Sequence, residues 1–147
     1  MRLSPLGAFN DMYDSNPEAL FGYVAERLGD SPLAYLHVVE TEEEHDERPS
    51  LGLDFGRLRR RYRGLYMANG GYDRERATAA LRTRSADLVS FGRLFLANPD
   101  LPERLARHAP LNTPDPATFY GGDARGYTDY PTLSAPVGQA LNLGKVA

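Results

Sequence analysis

Two pairs of residues in this sequence have the types needed to hold an anion. Gly70 and Gly71 follow one apolar run, and Gly92 and Arg93 follow the next. Glycine lets backbone N–H groups approach a ligand closely, and the forked guanidinium of arginine suits phosphate. Glycines after strands also make ordinary tight turns, which explains either pair taken alone. Because two such pairs end consecutive runs, we expect them to contribute to a phosphate site.

The histidines and the absence of cysteine limit other chemistry. Without cysteine, disulfides, thiolate metal sites and a cysteine nucleophile are excluded. The three histidines lack the spacing of metal ligands. We expect a structural role for His37, inside an apolar run, and no site role for His45 or His108. No Ser-His-Asp order, Walker loop or pair of carboxylates stands out, and residues 121–126 lack the strand and helix that flank a dinucleotide fingerprint.

The elements that would position these residues alternate along the chain. Apolar runs predict strands at 2–5, 33–39, 65–69 and 87–91. Capping residues and apolar residues three or four apart predict helices at 17–28, 55–65, 73–82, 94–97 and 101–106. We expect the strand at 33–39 to be buried on both faces. Such repeated alternation is typical of a parallel β/α architecture with right-handed crossovers.

The chain changes character at about residue 110. Beyond this point proline, glycine, aspartate and tyrosine dominate, and the periodic pattern stops. The aromatic content is too high for a linker, so we expect this part to pack across the sheet. We therefore divide the chain into a β/α part at 1–109 and an irregular C-terminal extension at 110–147.

Length, charge and hydropathy exclude several classes of protein. The 147 residues suit one ordinary domain, and the net charge of −3 argues against nucleic-acid binding through bulk charge. The arginines at 57–63 could suggest RNA or phosphate binding, but the apolar stripe between them favours a solvated helix face. The acidic segment 42–47 could pair with these arginines or cover an active-site mouth. No apolar run of membrane-spanning length and no signal-peptide pattern is present, so we predict a cytoplasmic protein.

Seven short motifs occur in order along almost the whole chain. They are RLSP at 2–5, LAYLHVVE at 33–40, NGGY at 69–72, ADLVSFGR at 86–93, ANPDL at 97–101, FYGG at 119–122 and GYTDYP at 126–131. Together they closely resemble the C-terminal half of the old yellow enzyme family, the flavin-dependent alkene reductases. Each motif alone is weak, whereas the ordered set is specific.

The resemblance implies a fold, a cofactor and a set of site residues. The fold is the C-terminal half of a (β/α)8 TIM barrel, from the end of strand five through strand eight, with the irregular tail packed on it. FMN is the implied cofactor, NAD(P)H the hydride donor and a small activated alkene the substrate. The implied site residues are Arg2 at the pyrimidine edge of the flavin, Gly70, Gly71, Gly92 and Arg93 at its phosphate, and Tyr120 in the substrate pocket.

The resemblance covers only part of a barrel, since a complete one needs about 250 residues. The family's pair of hydrogen-bond donors to the substrate and its proton-donating tyrosine lie in the other part, so no catalytic residue is assigned. We therefore predict the FMN-binding portion of an NAD(P)H-dependent ene-reductase, incomplete and inactive alone. The alternative is a non-enzymatic half-barrel or binding module that dimerises or pairs with a separate N-terminal half. Neither hypothesis includes a nucleic-acid or membrane partner.

Overall fold

The computed structural model describes residues 1–8, 12–41, 52–121 and 123–134. The chain forms two compact units, Met1–Ser90 and Phe91–Ala147. The sequence predicts a division at residue 110 instead, where the β/α pattern ends, and that division stays a prediction. No helix within the described ranges is long and apolar enough to cross a membrane. The cytoplasmic location likewise stays a prediction.

The first unit alternates strands with helices, as the sequence predicts. Its elements are β1 (Arg2–Leu3), α1 (Pro17–Leu28), β2 (Leu36–Val39), α2 (Phe55–Arg61), β3 (Tyr66–Asn69), α3 (Arg74–Thr83) and β4 (Leu88–Val89). The second unit contains α4 (Arg93–Ala97), α5 (Leu101–Arg107) and a turn of 3-10 helix at Pro116–Thr118. Helix α2 stops before the predicted residue 65 because Tyr62 takes an extended conformation and its side chain is buried in the core.

The four strands form one parallel sheet in the order β1-β2-β3-β4. Each of the first three strands is followed along the chain by a helix and then by its neighbour in the sheet. In the centre, Leu36 pairs with Tyr66 and Val39 pairs with Asn69. The predicted α/β class with a parallel sheet is therefore confirmed.

One face of this sheet forms the core of the first unit. The buried cluster consists of Ala25, Leu36, Val38, Leu58, Tyr62, Tyr66, Ala68, Ala80 and Ala86. Helices α1, α2 and α3 all contribute to it, together with alternate residues of β2 and β3. The intervening residues, His37 and Met67 among them, are only half-buried. The expectation that residues 33–39 are buried on both faces is thus wrong, because the helices pack against one face.

Helices α1, α2 and α3 each begin at a residue whose side chain caps the helix. Asn16 accepts a hydrogen bond of 3.1 Å from the backbone N–H three residues ahead, and Pro17 follows it in the first helical position. Asp54 and Asp73 cap α2 and α3 in the same way, at 2.9 and 2.7 Å. The capping signals before Pro17 and at Asp73 therefore predict where α1 and α3 begin, whereas α2 was predicted from its apolar stripe and its cap at Asp54 was not.

The arginines of residues 57–63 form a solvated face with one exception. The exposed members are Arg57, Arg60, Arg61 and Arg63. Arg59 is half-buried, and its Nη2 donates to Oδ2 of Asp87 at 2.8 Å. The same oxygen accepts the backbone N–H of Tyr66 at 2.8 Å. Arg59 therefore ties α2 to the start of β3 rather than contributing to an open basic surface.

The second unit is held by a buried arginine. Arg104 donates from Nε to Oδ1 of Asp100 at 2.6 Å, and from its two terminal nitrogens to the carbonyls of Pro110 and Pro131. Oδ2 of Asp100 accepts the N–H of Leu133 at 2.7 Å. Burial acts to raise the pKa of Asp100, but these hydrogen bonds hold it below its usual range. The irregular C-terminal part is therefore fastened to α5 through backbone carbonyls.

Replacing Arg84 with glycine should stabilise the first unit. Arg84 ends α3 with φ 59° and ψ 25°, a left-handed conformation that costs an L-residue about 1–2 kcal/mol. Glycine avoids this cost, although it is more flexible in the unfolded chain. We expect Arg84→Gly to raise the free energy of unfolding in urea by about 0.5–1 kcal/mol.

The matched control is Arg82→Gly, two residues earlier within α3. There glycine should lower the free energy of unfolding by about 0.5–1 kcal/mol, because it weakens a helix interior. Equal losses of stability in the two variants would contradict backbone strain at Arg84.

Candidate functional site

At the carboxyl edge of the sheet, the chain leaves three neighbouring strands of the first unit. The strands are parallel, so the residues after β2, β3 and β4 leave the sheet at this same edge. Glu40 follows β2, Gly70 follows β3, and Ser90 follows β4. The N–H of Glu40 donates to the carbonyl of Asn69 at 2.7 Å, which keeps the first two exits side by side. Ligands of open parallel sheets bind outside this edge.

Gly70 is required by the close approach of these two exits. A Cβ atom built at Gly70 would lie 3.0 Å from the backbone nitrogen of Thr41 and 3.2 Å from backbone atoms of Glu40. Its φ of +127° is also outside the range of other residues. Gly71 has φ +60°, and a Cβ there would meet only Nη1 of Arg76, at 3.9 Å. The chain therefore leaves β3 with no side chain over two successive residues.

Arg76, in the first turn of α3, contacts this glycine pair from the helix side. Its Nη1 lies 2.9 Å from the carbonyl oxygen of Gly71 and 3.5 Å from that of Gly70. Its guanidinium carbon lies 4.6 Å from the ring centroid of Tyr72, a cation–π distance. The contact of Arg76 with the glycine pair is not predicted from the sequence, because the spacing of residues 70–76 does not specify the conformation of a long side chain.

A second contact set, which we call the Glu40 clamp, joins Glu40 to two tyrosines. Tyr66 donates its hydroxyl to Oε1 of Glu40 at 2.8 Å, and Tyr72 donates to Oε2 at 2.6 Å. Burial first, and then the neighbouring carboxylate, raise the pKa of Tyr66 well above its ordinary value. The pKa of Tyr72 is raised by burial and by its hydrogen bond to Glu40. Both tyrosines therefore remain hydrogen-bond donors at any physiological pH.

His37 belongs to a polar cluster on the face of the sheet opposite the core. Its Nε2 lies 3.0 Å from Oγ of Ser90, and that oxygen also accepts a hydrogen bond of 3.0 Å from Nδ2 of Asn69. Arg2 pairs with His37 in the sheet register. Burial, the charge of Arg2 and the terminal amine lower the pKa of His37. The imidazole in β2 is therefore connected, through Oγ of Ser90, to Asn69 of β3 and to the residue that follows β4, which agrees with a structural role.

The six residues expected at a flavin site fall into two sets. Arg2, Gly70 and Gly71 belong to the first unit, and the others are Gly92, Arg93 and Tyr120 of the second. Arg2 is exposed. Gly70 and Gly71 lie at the carboxyl edge described above. His45 and the acidic segment 42–47 lie outside the described residues.

In the second unit, the predicted site residues are all exposed. A Cβ atom at Gly92 would meet nothing within 4 Å, so packing of the described residues does not require glycine there. Arg93 begins α4 with its side chain exposed. Tyr120 is 98% exposed. The structure therefore leaves these three side-chain positions accessible to a ligand.

The turn that carries Tyr120 is held by its own hydrogen bonds. Tyr127 donates its hydroxyl to the carbonyl of Phe119, the residue before Tyr120. Gly126 has φ +76°, and a Cβ there would overlap the side chain of Thr118. The close approach of Gly126 to Thr118 was not predicted from the sequence, although the GYTDYP motif contains the glycine.

Comparison with known proteins identifies the family of this chain. A model described as the NADH:flavin oxidoreductase / NADH oxidase family matches residues 1–112, which is more than half of the chain. The chain belongs to this family. The resemblance to the old yellow enzymes is thereby confirmed.

Relatives in the family match nearly the whole chain. The putative 12-oxophytodienoate reductase 3 of Oryza sativa subsp. japonica is 47% identical over 136 residues, which cover 90% of this chain and 36% of that protein. Putative 12-oxophytodienoate reductase 10 of the same organism is 44% identical over 142 residues, which cover 90% of this chain and 44% of that protein. The chain thus spans less than half the length of these two relatives.

Solved structures of family members have the same fold over this length. The old yellow enzyme from Trypanosoma cruzi superposes with a TM-score of 0.80 at 39% identity, covering 90% of this chain and 34% of that one. Morphinone reductase superposes with a TM-score of 0.79 at 42% identity, covering 93% of this chain and 37% of that one. This chain therefore corresponds to about a third of an old yellow enzyme barrel.

The polar cluster around His37 should make stability depend on pH. The unfolded chain binds a proton at an ordinary histidine pKa of about 6.5, whereas the folded chain resists protonation of His37. The free energy of unfolding should therefore be unaffected by His37 above pH of about 7 and should fall as the pH drops through about 6. We expect a smaller fall in His37→Gln, measured by urea unfolding between about pH 7.5 and 5.

A direct measurement for this prediction follows the imidazole of His37 itself. An NMR titration should give His37 a midpoint below about 6.5, and a midpoint above it would contradict the lowered pKa.

Proposed function

We propose that this chain provides the FMN-binding portion of an NAD(P)H-dependent ene-reductase. In this proposal it corresponds to the end of strand five through strand eight of a (β/α)8 barrel, with the C-terminal part packed beside it. The observation that carries the proposal is the glycine pair after β3, which leaves the backbone uncovered at the carboxyl edge of a parallel sheet. Membership of the flavin oxidoreductase family supplies the class of ligand.

The chemistry of the exposed residues suits a flavin mononucleotide. Bare backbone at Gly70 and Gly71 allows amide N–H groups to contact a phosphate, as in other nucleotide sites. Arg93 offers a forked cation for the same group, and Gly92 adds an uncovered backbone position. In barrels of this class the loops after strands seven and eight recurrently hold phosphate. We therefore assign these four residues to the FMN phosphate.

Two further residues complete the proposed flavin and substrate contacts. A bound FMN would supply the chemistry of hydride transfer from reduced nicotinamide to the β-carbon of an activated alkene. Arg2 would lie at the pyrimidine edge, where its charge stabilises an anionic reduced flavin. Tyr120, exposed in the second unit, would form part of the wall of the alkene pocket. A related protein, morphinone reductase, has been solved in complex with tetrahydroNAD, which supports a nicotinamide as the hydride donor.

A second function is favoured by the open edges of the sheet. Strands β1 and β4 each pair with one neighbour in the described sheet, and Leu88 of β4 is 39% exposed. Unpaired parallel edges favour association with another chain. The chain would then act as a binding module, by forming a homodimer or by pairing with a separate N-terminal half. The two functions differ in whether the paired species retains FMN.

Arg93→Ala should selectively weaken FMN binding. Size-exclusion chromatography of the chain with FMN should show flavin absorbance under the protein peak, and the mass of that peak gives the oligomeric state. Loss of a charge-assisted hydrogen bond of about 1.5–3 kcal/mol should weaken FMN binding about 10- to 100-fold. Riboflavin, which lacks the phosphate, should bind equally to both proteins.

Arg107→Ala is the matched control, because Arg107 is exposed on α5 and pairs with Glu103. It should bind FMN like the wild-type chain. Unchanged FMN affinity in Arg93→Ala would refute the phosphate assignment, and a flavin-free dimer would favour the binding module.

The isolated chain should not reduce alkenes. The substrate-orienting pair and the proton donor of the family have no counterparts assigned in this sequence, so a bound flavin would lack both. We expect oxidation of NADH or NADPH in the presence of FMN and 2-cyclohexenone to proceed no faster than with free FMN. Formation of cyclohexanone at a rate proportional to the protein concentration would show that the chain is a complete catalyst.

A further inference from the structure

The contacts of Arg76 fix the orientation of two peptide planes. Its Nη1 donates to the carbonyl oxygens of Gly71 and, more weakly, of Gly70. In a trans peptide, the C=O of one residue and the N–H of the next point in opposite directions. No cis peptide bond occurs among the described residues. The N–H groups of Gly71 and Tyr72 therefore point away from the Arg76 guanidinium, as a pair.

This paired orientation is the one an anion needs. Two successive N–H groups directed to the same side of a loop form a concave donor site for a phosphate oxygen. The positive φ angles of Gly70 and Gly71 permit it, since other residues rarely adopt them. Positive φ alone allows many orientations, whereas carbonyls bound to one guanidinium select a single one.

The Arg76 guanidinium is itself held by the Glu40 clamp. It stacks at 4.6 Å from the ring centroid of Tyr72, whose hydroxyl is fixed on Oε2 of Glu40. The other oxygen of Glu40 accepts the hydroxyl of Tyr66 in β3. The backbone of Glu40 is in turn bonded to β3 through Asn69. A continuous set of contacts thus runs from the sheet to the two glycine carbonyls.

We propose that Arg76 is a positioning residue for the phosphate of the bound flavin nucleotide, acting through the amides of Gly71 and Tyr72. The inference rests on the proposed FMN site. It differs from direct binding, because Nη1 of Arg76 is directed at the carbonyl side of the glycine pair. Arg76 orders the loop before the phosphate arrives, and ordering a loop in advance strengthens binding.

The test compares FMN with riboflavin in Arg76→Ala. Fluorescence titration should show that the wild-type chain binds FMN more tightly than riboflavin, through the phosphate. In Arg76→Ala this ratio of affinities should fall about tenfold or more, while riboflavin affinity stays unchanged. Arg76→Lys keeps a donor that can reach a carbonyl and should restore part of the ratio. Arg82→Ala, which removes a similar charge from the same helix, should leave the ratio unchanged.

A second measurement distinguishes positioning by Arg76 from direct binding of the phosphate by Arg76 and from a general effect on the fold. In flavin-free protein, the NMR signals of the Gly71 and Tyr72 amides should broaden or shift in Arg76→Ala but not in Arg82→Ala. Inorganic phosphate should shift both amides in the wild-type chain and neither in Arg76→Ala. Amides that respond to phosphate equally in both proteins would overturn the inference, as would a loss of riboflavin binding in step with FMN.

Failure of the inference is distinguishable from failure of the proposed function. A wild-type chain that binds FMN no better than riboflavin contradicts the phosphate site, whatever Arg76 does. If the wild-type chain binds neither flavin, the flavin-free amide signals and the phosphate titration decide the role of Arg76 by themselves. A normal FMN-to-riboflavin ratio in Arg76→Ala contradicts the inference alone.

Discussion

The four-residue pairing of β2 with β3 is the constraint on which the rest of the first unit depends. This pairing joins Leu36 to Tyr66 at one end and Val39 to Asn69 at the other. Alternation along these strands puts one set of side chains into the core with the helices and leaves the other set, which includes His37 and Asn69, on the opposite face of the sheet. Because both strands end at the same level, their exits run side by side. The requirement for glycine at residue 70 results from that closeness.

The second unit is organised by a different principle, since few of its described residues belong to helices or strands that would pair their backbone groups. Arg104 and Asp100 bind carbonyls and an N–H of the irregular segment. The buried amide of Asn98 does the same, exchanging hydrogen bonds with the backbone of Asn112. Buried polar groups must be paired to avoid a large desolvation cost, so these contacts hold one conformation strongly. Proline-rich chain is thereby ordered without a sheet or a long helix.

Most of the architecture could be predicted from the sequence because its signals are local. Asn16 with Pro17, and Asp73, mark helix starts through hydrogen bonds only three residues long. The apolar runs give the strands, and their alternation with helices gives the parallel order. The glycine pair after β3 was identified for the same reason. What could not be predicted are contacts between distant residues: Ser90 reaches His37 across 53 positions, and Tyr66 reaches Glu40 across 26. Such pairs depend on register, which no local pattern specifies.

The Glu40 clamp has an optical consequence. A tyrosine that ionises changes its ultraviolet absorbance, and ordinary tyrosines do so near pH 10. Tyr66 and Tyr72 resist ionisation first because they are buried, and then because each contacts the Glu40 carboxylate, beside which a second negative charge is unfavourable. In alkaline solution these two tyrosines should therefore not contribute to the ultraviolet absorbance of tyrosinate until their contact with Glu40 is lost. The carboxyl edge of this sheet therefore carries two chromophores whose absorbance distinguishes its assembled from its opened form.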